Sequence, residues 1–117
     1  KEPLGPAVRQ GDASWASIVR WTLFAMLNAE ELGVTQANVD EMINSPNPEV
    51  RRLLGVDGEF GKGIGLGGDW AVSIIRAVGN YGEAFERNLG MGSRIKIPRG
   101  RNALWKDGGL MYAPPIR

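Results

Sequence analysis

The residues of this chain that could do chemistry are glycines, carboxylates and a few cations, because histidine and cysteine are both absent. Their absence removes imidazole bases, thiolate nucleophiles and His/Cys zinc ligands, each of which needs one of those side chains. Three groups remain. Gly63-Ile-Gly65-Leu-Gly67-Gly68 matches G-x-G-x-x-G at Gly63, Gly65 and Gly68; Asp57, Glu59 and Asp69 flank it as acids; Arg94, Lys96, Arg99, Arg101 and Lys106 form a basic run.

Each group has a plainer alternative. A dinucleotide site needs a buried strand ending at the glycines and an acid about 20 residues on that closes a second strand. Asp57-Gly-Glu-Phe60 is no such strand, and Glu86 falls within the same expected helix as the residues after the glycines. A structural loop is the stronger reading, with anion binding at the following helix start a lesser one. Lys62 makes no Walker motif, since neither the glycine spacing nor a following Ser or Thr is present. The acids lack the alternation and closing Glu of a calcium loop and read as solvated. The basic run has only Trp105 as a stacking aromatic, so a solvated or docking surface is preferred to phosphate tracking. Ser14, Ser17, Ser73 and Ser93 have no base to activate them. No catalytic, cofactor-binding or metal-ligating residue is assigned, no cofactor is expected, and neither is enzyme activity.

The elements that would position these groups are mostly helices. Asp12 caps a helix from about Ala13 to Leu32, closed by Gly33. Trp15, Ile18, Val19, Leu23, Met26 and Leu27 lie largely on one side of it, while Trp21 and Phe24 project from the polar side, so both sides are expected to pack. Thr35 can cap a second helix to about Asn44, and Asn47-Pro48-Glu49 starts a short one to Leu54. With Ser45-Pro46-Asn47-Pro48 as a stiff linker and only Arg51 and Arg52 as readers, this pair is no convincing helix-turn-helix, and no nucleic-acid partner is expected. Residues 55–68 form a glycine-rich loop, after which Asp69 caps an amphipathic helix over 69–89. Its Trp70, Ile74, Val78, Tyr81, Phe85 and Leu89 share one face, and Gly79 with Gly82 implies either close helix approach or a kink near Asn80.

Short extended pieces flank the helices. Leu4, Ala7 and Val8 make a weak strand, within a strand-and-turn segment over 1–12. Residues 90–117 read as an irregular extension, with Ile95 to Pro98 briefly extended, Asn102 to Lys106 a helical turn, and Met111 to Ile116 an apolar tail that must pack on something.

The chain's 117 residues support one small domain, 1–117 as a single segment, and its formal net charge of +1 leaves no broad field to draw nucleic acid or anionic lipid. Glycine is the outlier at 17 residues, against a usual share of about 7%. No apolar run approaches the roughly 18 to 20 residues that span a bilayer, and no signal-peptide pattern opens the chain.

Several stretches resemble one family. Lys1-Glu-Pro-Leu-Gly-Pro-Ala-Val-Arg-Gln-Gly-Asp12, Ile18-Val-Arg-Trp-Thr-Leu-Phe-Ala-Met-Leu-Asn-Ala-Glu-Glu-Leu-Gly33, Asn38-Val-Asp-Glu-Met42, Pro48-Glu-Val-Arg-Arg-Leu-Leu-Gly55, Val78-Gly-Asn-Tyr-Gly-Glu83, Asn102-Ala-Leu-Trp105 and Gly108-Gly-Leu-Met-Tyr-Ala-Pro-Pro115 are similar to the C-terminal third or so of general L-amino-acid-binding proteins of ABC transporters, solute-binding protein family 3. The resemblance implies a helix-rich fragment, with one or two short strands, of a two-lobed α/β periplasmic binding protein fold. It implies a periplasmic protein that closes on an amino acid at its hinge and delivers it to a membrane permease. In that family an Arg and backbone amides hold the ligand carboxylate and an acid holds its amine; those motifs lie upstream of this stretch, so no ligand-binding residue is carried over. Glu2 to Arg9 matches a hinge-side segment. A chain of this kind is expected to expose apolar surface meant for the rest of its parent or for copies of itself. The rival readings are a free-standing helical interaction module anchored by Trp21 and Phe24, and, more weakly, a nucleotide-binding fragment built on Gly63–Gly68.

Overall fold

In the computed structural model, residues 4–117 are described, so Lys1, Glu2 and Pro3 of the expected opening segment lie outside the described residues. The described residues form α1 (Ala13–Glu31), α2 (Val39–Met42), α3 (Pro48–Leu53), α4 (Trp70–Val78) and α5 (Tyr81–Asn88), with short 3₁₀ turns at Phe60–Ile64, Gly100–Asn102 and Trp105–Asp107. Helix α1 is the spine: α3, α4 and α5 all pack against it, and α2 packs on α4.

Local chemistry sets the helix ends. The Asp12 carboxylate accepts from the Trp15 amide at 2.9 Å, satisfying one of the unpaired donors that open α1. Past Glu31 the chain turns through Gly33 at φ +72°, where the Val34 amide donates back to the Ala29 carbonyl at 2.8 Å. Asn47 accepts from the Glu49 amide at 2.9 Å, and Pro48 occupies the first helical position of α3.

Both sides of α1 are covered. On one side Ala25 and Ala29 meet Val34, Val39, Val50, Leu53, Ala71 and Ile75 in the main core, with Trp21 packed against its edge. Side chains as deeply buried as Leu53 and Ile75 each contribute about 1.5–3 kcal/mol by leaving water. On the other side Leu27 joins Leu104 and Ala113 in a smaller cluster that Phe24 and Tyr81 complete. Trp21 and Phe24 touch edge to face, with centroids 5.5 Å apart. They are therefore packing residues, Trp21 against the main core and Phe24 in the smaller cluster, and not the free anchors of the interaction-module reading.

Several expectations are corrected. The single helix over 69–89 is two helices, because Gly79 adopts φ +79° and ψ −174° and Asn80 restarts the chain with an extended backbone. Of the two readings given for the glycines, a kink near Asn80 is the one Gly79 realises. The break also changes the buried face: Ala71, Val72 and Ile75 go inside, while Val78 and Leu89 of the expected stripe are exposed.

Asp69 precedes α4 without capping it, since its backbone, φ −91° and ψ 12°, is not the extended form in which a side chain reaches forward. Thr35 does accept from the Asn38 amide at 3.2 Å, and Asn38 returns the bond to the Thr35 amide at 2.7 Å, but this closes a turn and α2 proper begins at Val39. Among the described residues the Leu4–Val8 segment forms no strand, because no neighbouring segment offers it a ladder.

The C-terminal third is irregular, as expected, but anchored. Leu104 and Met111 form an isolated parallel bridge in place of a helical turn over 102–106. Asn28 donates to the Pro114 carbonyl at 2.9 Å, and Ile116 enters the main core.

At the α4–α5 break, Asn80 is 5% exposed and fully used: its amide nitrogen donates to the Val34 carbonyl at 2.8 Å, and its oxygen accepts from the Glu83 amide at 3.0 Å. Glu83 completes a capping box by accepting from the Asn80 amide at 2.8 Å. Replacing Asn80 with Ala removes the cap and orphans a buried carbonyl, so urea denaturation is expected to show a loss of about 2 kcal/mol. Gly79→Ala is expected to cost at least as much, since φ +79° with extended ψ is a glycine region and a Cβ there would sit 2.7 Å from the Glu83 carboxylate.

Candidate functional site

The glycine motif does not form a phosphate cradle. Gly63 lies inside the Phe60–Ile64 3₁₀ turn and Gly65 ends it in a left-handed conformation; among the described residues no strand leads into it. The space beside the loop, about 240 Å³, is bordered by Trp21, Phe60, Ile64, Trp70, Ile116 and a single cation, Arg117. That lining suits apolar packing and gives a pyrophosphate little to hold it, so the nucleotide-binding reading is set aside. The flanking acids are separated: Asp57 accepts from Arg51 at 2.7 Å and Glu59 pairs with Lys62. The Arg51 guanidinium holds the Asp57 carboxyl below its ordinary range.

Two of the four serines are spent locally. Ser17 donates to the Ala13 carbonyl and Ser93 to the Gly90 carbonyl, at 3.0 and 2.8 Å. Neither is held as a nucleophile.

The basic run divides in two, and Arg99 departs furthest from the solvated surface expected of it. Its guanidinium meets the Glu30 carboxylate with two bonds, 2.8 and 3.1 Å, and donates to the Asn102 carbonyl at 2.9 Å. It also stands over the rings of Tyr81 and Phe85, 5.5 and 5.3 Å from their centroids. Only 21% of the Arg99 side chain and 18% of the Glu30 side chain remain exposed. The pair therefore joins α1, α5 and the C-terminal extension at one point.

Gly82 makes that approach possible, because a Cβ there would fall 2.8 Å from the Glu30 carboxylate. Lys106 donates to the Glu31 carbonyl at 3.1 Å, a cation placed at the negative end of α1. Arg94, Lys96 and Arg101 stay exposed.

A cleft of about 390 Å³ opens between α1, α3 and the tail, where Glu31 and Glu49 stand with Arg52 and Lys106 beside the Trp105 and Tyr112 rings. These two aromatics touch edge to face at 6.2 Å. The sequence signals for this cleft and for the Arg99 hub are weak, because the partners come from distant parts of the chain; Arg99 and Glu30 are 69 positions apart.

Truncating Arg99 to Ala strands the Glu30 carboxylate in a mostly buried site. Chemical denaturation is expected to show a loss of about 3 kcal/mol, with Arg99→Lys recovering only part because an ammonium cannot bond both carboxylate oxygens in a fork. In a double-mutant cycle with Glu30→Gln, the two losses are expected to be far from additive. Burial raises the Tyr81 phenol above its ordinary value, a shift that Arg99 opposes. A raised folded-state value keeps stability intact below the ordinary phenol range and loses it as pH climbs through that range. Alkaline unfolding followed by circular dichroism is therefore expected to begin earlier in wild type than in Tyr81→Phe.

No protein-family model matches the chain. It is 63% identical, along all of its length, to the general L-amino acid-binding periplasmic protein AapJ of Rhizobium johnstonii. It is 58% identical to the putative amino-acid ABC transporter-binding protein YhdW of Escherichia coli and 57% identical to the glutamate/glutamine/aspartate/asparagine-binding protein BztA of Rhodobacter capsulatus, again over the whole chain. In each case the chain spans 35% of the relative's length. Among solved structures, an ABC transporter/periplasmic binding protein from Brucella ovis with glutathione bound superposes on 94% of this chain and uses 35% of its own, with TM-score 0.90 and 61% identity. The almost strandless helical arrangement is thus the arrangement of one part of a periplasmic binding protein. In sequence and in fold, this chain is homologous along its length to about a third of the amino-acid-binding periplasmic proteins of ABC transporters.

Proposed function

We propose that the chain serves as the C-terminal portion of a periplasmic protein that captures amino acids and delivers them to an ABC transporter permease. The likeness along the whole chain, at 57–63% identity to proteins named for amino-acid binding, carries this reading. The role is one of scaffold. Residues that hold the ligand belong to the rest of the parent protein, and no group in this chain performs catalysis.

The Leu4–Val8 segment supports the same view. Among the described residues none of the backbone groups of 4–10 takes part in a backbone hydrogen bond, and Pro6 and Val8 lie along Ala16, Val19 and Leu23 of α1 with a groove between them. An extended run with open edges beside an apolar helix face is a strand prepared for a sheet. That sheet is supplied by the rest of the parent chain. In isolation the exposed Leu4 and Trp15 beside it favour association of copies.

Titration calorimetry is the test. The 117-residue chain alone is expected to give no heat with a panel of L-amino acids, while a longer form carrying the upstream sequence binds at micromolar levels or better. Tight amino-acid binding by the short chain, or none by the longer one, would sink the proposal.

A further inference from the structure

The part of the basic run that the fold does not consume forms a surface of its own. From Arg87 to Lys106 there are six cations and no acid, although the whole chain is nearly neutral. Arg87 donates to the Val78 carbonyl, Arg99 to Glu30 and Lys106 to the Glu31 carbonyl. Among the hydrogen bonds and ion pairs of the described residues, the side chains of Arg94, Lys96 and Arg101 have no part.

Interleaved with Arg94 and Lys96 are Met91, Ile95 and Ile97, which are 57%, 58% and 45% exposed. Apolar side chains and cations therefore alternate along one exposed loop.

The loop is also built to keep this shape. Ile97 donates to the Leu89 carbonyl at 2.9 Å, closing it at its base. Within it, the Ser93 hydroxyl donates to the Gly90 carbonyl and accepts from the Ile95 and Lys96 amides at 3.1 and 3.3 Å. Met91 is held through its amide by the Glu86 carboxylate at 2.9 Å. Lys96 sits at φ +56°, the only positive value outside glycine among the described residues, a conformation that costs energy and that these bonds enforce. A strained, internally bonded loop that holds isoleucines outward is preorganised for contact.

We propose that the Met91–Arg101 loop docks on an anionic lipid surface. The three unpaired cations of this short segment meet phosphate headgroups, and Met91, Ile95 and Ile97 enter the boundary between headgroups and acyl chains. A loop whose apolar side chains are exposed between cations fits a soft anionic partner. The modest number of cations makes the contact reversible and dependent on anionic lipid and on salt.

Co-sedimentation of the 117-residue chain with phosphatidylcholine vesicles, with and without phosphatidylglycerol, tests this. Association is expected only with the anionic vesicles, and to weaken at least tenfold when salt is raised from about 0.05 to 0.5 M. Ile95→Ser with Ile97→Ser, and separately Arg94→Gln with Lys96→Asn, are each expected to weaken it by tenfold or more while the unfolding midpoint stays unchanged; Asn is chosen because it tolerates the left-handed backbone. Trp15→Ser, which removes exposed apolar surface elsewhere, is expected to leave it intact. Equal binding to neutral vesicles, no binding to anionic ones, or binding that survives both loop variants overturns the proposal. So does retention on soluble polyglutamate without retention on vesicles, which would make the loop a site for an acidic protein.

Discussion

Asn80 sits where three parts of the chain meet, and its amide must satisfy groups from two of them at once. One end holds the Val34 carbonyl beyond α1, and the other opens α5. Because α4 ends at Val78 and α5 begins at Tyr81, the same residue fixes the angle at which the two helices leave each other. Both then pack on α1. A buried primary amide with both ends used tolerates little rotation, so the junction behaves as a rigid corner.

Glu83 extends this corner outward. Besides closing the capping box it accepts from the Gln36 amide at 3.1 Å, and Gln36 in turn donates to the carbonyls of Arg76 and Ala77. The α1–α2 turn, the end of α4 and the start of α5 are thus one hydrogen-bonded unit. Arg99 with Glu30 does the equivalent on the far side of α1, next to the smaller apolar cluster of Leu27, Leu104 and Ala113. One region is held by polar groups around a large core, the other by polar groups beside a small one.

Much of this was legible locally and little of it at long range. Asp12, Gly33 and Asn47-Pro48 announced helix ends through chemistry that acts within four residues, and those ends stand where expected. The double-sided burial of α1 followed from Trp21 and Phe24 lying on a polar arc. The continuous 69–89 helix was misread because hydrophobic spacing of three and four runs on through Gly79, although Asn80 with Glu83 spells a capping box in the sequence. Asp69 shows the converse: a residue type suited to capping does not cap when its own backbone is wrong. Arg99 could not be told from its solvated neighbours, since nothing near it in sequence identifies Glu30. The family likeness was legible in the opening strand-like segment, the α1 sequence and the Met111–Pro115 ending, and it extends along the whole chain.

The tail has a consequence for the order in which the molecule can be completed. Ile116 belongs to the main core and Ala113 to the smaller one, so neither is sealed until these late positions are in place. During synthesis the inner faces of α1 and α4 emerge first and wait uncovered, at a pace of about 5–20 residues per second, for side chains made some forty positions after α4 begins. Helix formation can run ahead, but the packing of α1 and α4 waits for the segment that carries Ala113 and Ile116. Until that segment arrives, the uncovered apolar faces of α1 and α4 are open to aggregation.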